Sequence, residues 1–456
     1  MSKKICSWLN YDGVSGIQIR DNGNIYPCAV RWINLIEDKN KKYYSDYLNL
    51  TLNDIQQKRV EFLDRINLGE VQECLSCPLL TESSSENISV GPIKHLIYHP
   101  HTLCSLNCKY CFYTDEQRSI PIDIKYKKLD KVIKHFYDIG LLDRETFALD
   151  LGGGEPLFLD NIKETLDFMS NTWKHSTFYL LSNSTVVNKV NDFINYSKDK
   201  YLNVHKVLIT SIDCGTAQTY KEIRQKDYYY NVIHNLYNYA RNGIFDEIIL
   251  KYIFLDNGSN LDDDNIYGFL RLCRFIADNQ EKEFKISLDI DWLERKHNDG
   301  AIPNRILQAI AKMKYIITDV MNINYIYASD YLNTSTKEGI KALEKINSYI
   351  EEFKFKDKSY REIYEFSYLR KDSLKEHLTN QNYELQKLNN ILKENLCEIN
   401  FKTNNINKSI MSIAAKLDKP TLLQHIFSVR NIGNHKIWMI FGIKIKIKRK
   451  SRGVQL

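Results

Sequence analysis

Short β-rich runs alternating with helically spaced apolar stretches constrain this chain more than any other feature of its sequence. The pattern predicts strands at 95–99, 147–151, 177–182, 207–213, 248–255 and 285–291. Between them Leu129, Val132, Ile133, Phe136 and Tyr137 recur at helical intervals, and similar patterns fill about 160–173, 188–199, 216–242 and 261–281. Strands that alternate with helices imply parallel βαβ units with right-handed crossovers. The expected fold is therefore α/β, a partial (β/α)6 barrel, with an open doubly wound sheet as the alternative. In either case the loops after the strand C-termini should carry the chemistry.

At 456 residues the chain is longer than one compact core usually holds, so several domains are expected. With 43% hydrophobic and 26% charged residues it reads as soluble and globular, and its 18 Gly and 8 Pro exclude collagen-like or Pro-rich chains. No apolar run approaches the ~20 residues that span a bilayer, and the start has no apolar segment of a secretory signal. A cytoplasmic protein is expected. Lys436, Lys444, Lys446, Lys448, Arg449, Lys450 and Arg452 near the C-terminus exceed the whole net charge of +6, so the tail is basic and the body near neutral. Beyond about residue 335 the sequence turns Lys-, Glu- and Asn-rich. There Leu378, Leu385, Leu392 and Ile399 repeat every seven residues, suggesting either a short coiled coil that pairs two copies or a helix packed on its own barrel. Cys397 falls on the outer face of that register. The expected division is a cysteine-rich module over 1–90, a core over 91–330, a helical extension over 331–402 and a basic tail over 403–456.

Ten cysteines in a chain without a signal segment point to metal rather than to disulfides, and seven of them precede residue 112. Cys104, Cys108 and Cys111 lie within eight residues directly after the first strand of the core, close enough to wrap one soft metal centre. Four-iron clusters normally take four thiolates, and the next cysteine is Cys214. Three thiolates would leave one iron open, and an open position is where a substrate or cofactor binds. A zinc site completed by His99 or His101 is the competing assignment.

These residues resemble the radical S-adenosylmethionine (SAM) family, whose signature is C-x3-C-x2-C with an aromatic, here Tyr110, before the last Cys. The resemblance implies a 4Fe-4S cluster on Cys104, Cys108 and Cys111 whose open iron chelates SAM. Reductive cleavage of SAM then gives a 5′-deoxyadenosyl radical, with flavodoxin or ferredoxin as the reductant. Further segments are similar in the expected order. Gly153, Gly154, Glu155 and Pro156 match a motif that holds the SAM amino group. Ser182 and Asn183 match a polar strand end near the ribose, and Ser211 and Arg224 match a pair that contacts SAM, the forked guanidinium suiting a carboxylate. A weaker match is the Lys251–Tyr252 strand. Consecutive glycines at a strand end would also suit a tight βα turn alone.

Upstream, Cys6, a hairpin around Asp21-Asn22-Gly23 ending at Cys28, and the pair Cys74 and Cys77 could make a closed four-thiolate cage. From chemistry alone that cage suits zinc as well as iron. It resembles the SPASM or twitch auxiliary-cluster region of radical SAM enzymes, although SPASM regions usually follow the barrel and supply seven cysteines. The resemblance implies a second 4Fe-4S cluster on Cys6, Cys28, Cys74 and Cys77.

Cys214, after Ser211-Ile212-Asp213, is a candidate hydrogen-atom donor at the barrel mouth, or a small buried residue filling space. Asp289 and Asp291 are candidate bases or loop ligands, and Cys273 is expected in the core. The C-terminal segment 424–449 resembles short tails of bacterial capsule and surface-glycan glycosyltransferases. Its Trp438, Phe441 and isoleucines among Lys and Arg would suit peripheral contact with an anionic membrane, and a plain solubilising tail is equally consistent. No recognition fold for nucleic acid accompanies it. The expected substrate is a sugar or surface-glycan precursor. A peptide-modifying enzyme and a non-catalytic iron–sulfur scaffold are the alternatives.

Overall fold

Neighbouring strands follow one another almost in chain order. The structure, a computed structural model, describes residues 3–20, 24–28, 35, 50–75, 77, 79–83, 90–111, 113, 129–159, 161–186, 200–255, 260–291, 302–327 and 337–355, together with the backbone of 427–432, 435–440 and 443–448. The predicted helix at 188–199, the heptad segment and Cys397 lie outside the described residues. Two units separate, Met1–Ser373 and Leu374–Leu456.

The first unit begins with β1 (Lys3–Cys6), β2 (Gly16–Ile19) and β3 (Ile25–Tyr26). Helices α1 (Leu52–Asn67) and α2 (Gln72–Leu75) and strand β4 (Leu80–Ser83) follow, with β4 antiparallel to β1. A reciprocal capping box between Thr51 and Asp54 starts α1. The core runs β5 (His95–Tyr98), α3 (Leu129–Asp138), β6 (Thr146–Leu151), α4 (Ile162–Thr172), β7 (His175–Leu181), β8 (Val204–Ser211), α5 (Ala217–Arg224), α6 (Tyr229–Arg241), β9 (Glu247–Phe254), α7 (Asp263–Ala277) and β10 (Glu283–Ile290). All six expected core strands are present within a few residues. After them come α8 (Asn304–Tyr315), β11 (Asn324–Tyr327) and α9 (Lys337–Phe355), which packs on α8 through a buried Ile346 and Ile350.

The main sheet has the order β11-β10-β9-β8-β7-β6-β5-β2-β3, and every pair in it except β2–β3 is parallel. A doubly wound sheet needs a point where the order reverses. None separates β5 from β11, so right-handed crossovers place successive helices on one face, the winding of a partial barrel. Two parallel strands flank the six expected ones. The hairpin read in the cysteine-rich segment forms as β2–β3, yet β2 also pairs with β5, so this hairpin is continuous with the core sheet.

The two faces of the sheet differ sharply. Tyr98, Leu151, Leu180, Leu208, Ile248 and Phe284 form one unbroken row across six strands, all buried beneath the helices. The alternate positions carry Asp150, Tyr179, Glu247, Lys251, Lys285 and Asp289. Those charges pair in part, Lys251 with Asp289 at 2.6 Å and Lys285 with Glu247 at 2.9 Å. Fully buried parallel strands usually read as apolar on both sides, so a polar inner face marks a volume meant for something other than core packing.

The second unit contains an antiparallel meander, β12 (Phe427–Ile432), β13 (His435–Ile440) and β14 (Ile443–Lys448), where a basic tail was expected. No helix among the described residues is long and apolar enough to cross a membrane.

One close contact decides how α7 seats. The loop after β8 meets the helix at Gly215 and Gly268, and a Cβ on Gly268 would lie 2.3 Å from the Gly215 carbonyl oxygen. Backbone stands on both sides, so no side chain can rotate to relieve the overlap. Gly268→Ala is expected to destabilise the protein by about 1–3 kcal/mol. Denaturant unfolding checks this, and an unchanged midpoint would show that α7 can shift at no cost.

Candidate functional site at the C-terminal strand ends

The three-cysteine loop leaves the C-terminal end of β5 and is strapped to the end of α5. The last carbonyls of a helix lack partners within it. Here Ile223 O accepts from Lys109 N at 2.9 Å and Arg224 O from Asn107 N at 3.1 Å. Cys111 N donates to Cys108 O at 3.0 Å, closing the turn, and all three cysteines are free thiols.

Arg224 fastens this loop from beneath. It is buried and donates to Asp213 Oδ2, to the Ser211 carbonyl and, through Nη1, to Cys108 Sγ at 3.2 Å. Tyr110 donates its hydroxyl to the same Asp213 oxygen at 2.5 Å, and its ring lies 5.2 Å from the guanidinium. Ile253 N reaches Asp213 Oδ1 at 2.9 Å. Burial works against charge on Arg224, but Asp213, with Tyr110 and Cys108, holds its pKa well above the ordinary value. Asp213 itself has φ +62°, a costly conformation for a non-glycine residue. Asn260 stabilises it by donating to the Asp213 carbonyl at 3.0 Å.

The β6 end supplies the second half of the site. Gly153 (φ +72°) and Gly154 (φ +46°) are left-handed, and a Cβ on Gly154 would fall 2.4 Å from the Leu103 carbonyl oxygen. Only glycine permits that backbone so close to the start of the cysteine loop. Glu155 N then donates to Leu103 O at 2.7 Å, and Pro156 opens the 3-10 turn Pro156–Phe158. The Glu155 carboxyl is fully buried. Its Oε1 accepts from Ser182 Oγ at 2.8 Å and Leu157 N at 3.0 Å, and its Oε2 from Asn183 N at 2.8 Å. Burial nonetheless pushes its pKa up to about 7. Asn183 also donates to Cys104 Sγ at 3.3 Å, and Leu106 N to the same sulfur at 3.4 Å. Burial pushes the Cys104 thiol up to about 12, and those donors act against it.

Gly153, Gly154, Glu155, Pro156, Ser182, Asn183 and Ser211 thus lie at the ends of β6, β7 and β8 around the loop of Cys104, Cys108 and Cys111, with Tyr110 inside that loop and Arg224 at the end of α5. The Cys214 side chain is wholly buried, in agreement with the reading of a small residue that fills space; its thiol donates to Ile212 O at 3.4 Å, and burial drives its pKa up. Asp289 is held by Lys251, and Cys273 is buried on α7 as expected.

Sequence reasoning assigned no role to Asp213 or Asp150. Asp150 stands on the inner face of β6, where its Oδ1 is out of contact with water and has no hydrogen-bond partner among the described residues, and burial raises its pKa to about 7. An acid at an alternate position of an otherwise apolar strand was the available signal. Nearby, burial lowers His99 to about 3 and His101 to about 4, so both imidazoles are neutral at physiological pH.

Cys28 and Cys77 both lie within electrostatic reach of Cys6. Cys6 and Cys28 pack with Trp8 and Ile97, Cys77 N donates to Cys74 O at 3.0 Å, and after burial the charges of Cys28 and Cys77 act on Cys6, whose thiol rises to about 11. From there the rings of Trp8, His95 and Tyr179 stack in sequence, with centroids 5.6 Å and 5.9 Å apart, onto the inner face of the sheet. Among the described residues no three His, Cys, Asp or Glu groups converge on a single-ion site. The fit of a cluster therefore rests on the donor sets. Three free thiols on one loop, with N–H donors at two of the sulfurs, suit a thiolate-bound centre, and free thiols at Cys6, Cys28, Cys74 and Cys77 are the donor type a second would take.

No family model matches the chain, and no curated protein matches it. Similar solved structures include the Streptococcus suis protein SuiB bound to precursor peptide SuiA, at 15% identity over 66% of this chain and 70% of that one, with a TM-score of 0.39. SuiB bound to S-adenosylmethionine is 15% identical over 71% and 73%, with a TM-score of 0.37. Native anSMEcpe with bound AdoMet is 15% identical over 52% and 63%, with a TM-score of 0.38.

Two outcomes follow from the buried charges. Asp213→Asn leaves a buried guanidinium without its counter-charge and is expected to cost about 3–5 kcal/mol, read from unfolding midpoints. Asp150 has a folded pKa raised above its unfolded value of 3.8, so its protonated form favours the fold at low pH. That stability is lost as pH rises through about 7. Asp150→Asn should therefore gain stability over wild type between pH 5 and 8, on the order of 2 kcal/mol by pH 8. Parallel melts at the two pH values check the sign.

Proposed function

We propose that this chain is a radical SAM enzyme. The observation that carries the proposal is joint placement: the cysteine loop, the left-handed Gly153–Gly154 turn, the Ser182–Asn183 strand end and Arg224 all belong to one end of one parallel sheet. Sequence order alone does not require that.

Cys104, Cys108 and Cys111 would hold a 4Fe-4S cluster, and the Gly153–Pro156 turn with the ends of β7 and β8 would hold SAM. Together, when bound and reduced by flavodoxin or ferredoxin, these groups supply reductive cleavage to a 5′-deoxyadenosyl radical that abstracts hydrogen from substrate. The protein's part is positional. Glu155 ties the β6 end to the β7 end, Asn183 and Leu106 donate to Cys104 Sγ, and Arg224 steadies Cys108. The polar inner face gives substrate a surface with fixed charges. Cys6, Cys28, Cys74 and Cys77 would hold a second centre, an auxiliary 4Fe-4S cluster or zinc.

For substrate we propose a sugar or surface-glycan precursor, supported by the resemblance of the C-terminal segment to tails of glycan-building transferases. Pairing of two copies through the heptad segment and contact of the basic strands with an anionic membrane belong to the same reading.

The test is anaerobic reconstitution with iron and sulfide, reduction, and assay of SAM for 5′-deoxyadenosine, alone and with nucleotide-sugar or peptide pools. The wild-type protein is expected to form deoxyadenosine and Cys104/Cys108/Cys111→Ala none. Stimulation by peptides and not by sugars would overturn the substrate proposal. A fully iron-loaded protein that neither cleaves nor binds SAM would overturn the enzyme.

A further inference from the structure

Arg59 on α1 is wholly buried, yet no carboxylate pairs with it among the described residues. Its Nη1 donates to Gly91 O at 2.7 Å and Gln56 Oε1 at 3.0 Å, and its Nη2 to Ser15 Oγ at 3.0 Å and Leu9 O at 3.4 Å. Nε has no partner. Every one of those acceptors is neutral. A guanidinium cannot shed its proton to escape burial, so a full positive charge sits in the interior with dipoles alone to offset it among the described residues. Burial pulls against that charge, and the ionisable side chain whose charge supports it is Cys6.

Cys6 packs with Cys28 and lies within electrostatic reach of Cys77, whose backbone turns back on Cys74, and the Cys6–Asn10 turn supplies the Leu9 carbonyl held by Arg59. Four thiolates leave net negative charge around either zinc or an iron–sulfur core. We infer that Arg59 is the buried counter-charge of an anionic metal centre held by Cys6, Cys28, Cys74 and Cys77, a positioning residue whose charge is balanced only when metal is bound. This rests on the proposal that those four cysteines bind metal. It adds a specific consequence: the same charge opposes folding without metal and favours it with metal. A residue that served only as a hydrogen-bond bracket would act alike in both states.

The test uses the full chain carrying Cys104/Cys108/Cys111→Ala, so that metal can bind only at the front cysteines. Iron with sulfide, or zinc alone, is added anaerobically. Metal content, chelator-competition affinity and melting temperature are then measured with and without Arg59→Met and Arg59→Lys. Arg59→Met should raise the melting temperature of the metal-free protein and lower that of the loaded one, each by at least about 2 °C. It should also weaken metal affinity at least tenfold, while Arg59→Lys keeps most of the wild-type behaviour. Arg59→Gln, which keeps donors without charge, carries the same test should the methionine variant not fold. Equal loss of stability in both states, with metal affinity within twofold of wild type, would overturn the inference. A parent protein that takes up neither iron nor zinc would overturn the four-cysteine site itself, which metal content reveals before any Arg59 variant is compared.

Discussion

Arg224 carries a guanidinium into the interior, and Asp213 is the only carboxylate that reaches it there among the described residues. From that pair the site is built outward. Asp213 also takes the Tyr110 hydroxyl, so the cysteine loop is tied to β8, and its second oxygen takes Ile253 N, so β8 is tied to β9. Arg224 reaches Cys108, while its own backbone carbonyl holds Asn107. Removing either partner would leave a buried ion facing dipoles alone, at a cost larger than any one hydrogen bond. The left-handed backbone at Asp213 is tolerated because the carboxylate it aims is held by three donors and its carbonyl by a fourth.

A second charge problem recurs on the N-terminal side, where Arg59 has no such partner among the described residues. Arg224 is balanced by Asp213, whereas no carboxylate pairs with Arg59 among the described residues. The two cysteine groups also share a route through the sheet. β2 pairs with β5, the strand that leads into the three-cysteine loop, and the Trp8–His95–Tyr179 stack crosses from the front cysteines to the polar inner face. The geometry couples the front module to the core mechanically, since displacing β2 would disturb the strand from which the loop hangs.

Much of this was legible in advance. The six core strands were read correctly because runs such as Phe147–Leu149–Leu151 alternate buried positions beneath helices of matching spacing. The cysteine loop and the glycine turn were visible because short spacing and consecutive glycines are local properties. β11 was missed because four residues, Asn-Tyr-Ile-Tyr, are too few for a period to emerge, and β2 was read only as a hairpin arm because its pairing with β5 joins segments far apart in the chain. Cys214 was read either as a donor at the mouth or as a small buried residue, and its complete burial agrees with the second reading. The meander at the C-terminus was read as a tail because a run of alternating Ile and Lys carries charge and strand period at once.

The sequence by itself determined the order of strands and helices, the parallel sheet they imply and the identity of the thiol groups. Each depends on neighbours a few residues apart, whose periodicity and covalent spacing no packing can alter. Only the tertiary structure decided that Asp213 rather than solvent answers Arg224, that Glu155 bridges two strand ends and that Asp150 Oδ1 is buried without a hydrogen-bond partner among the described residues. It also decided that Arg59 holds the Leu9 carbonyl, in the turn that follows Cys6, fifty residues earlier in the chain. Those are questions of burial and counter-charge, settled by which distant segments exclude water together.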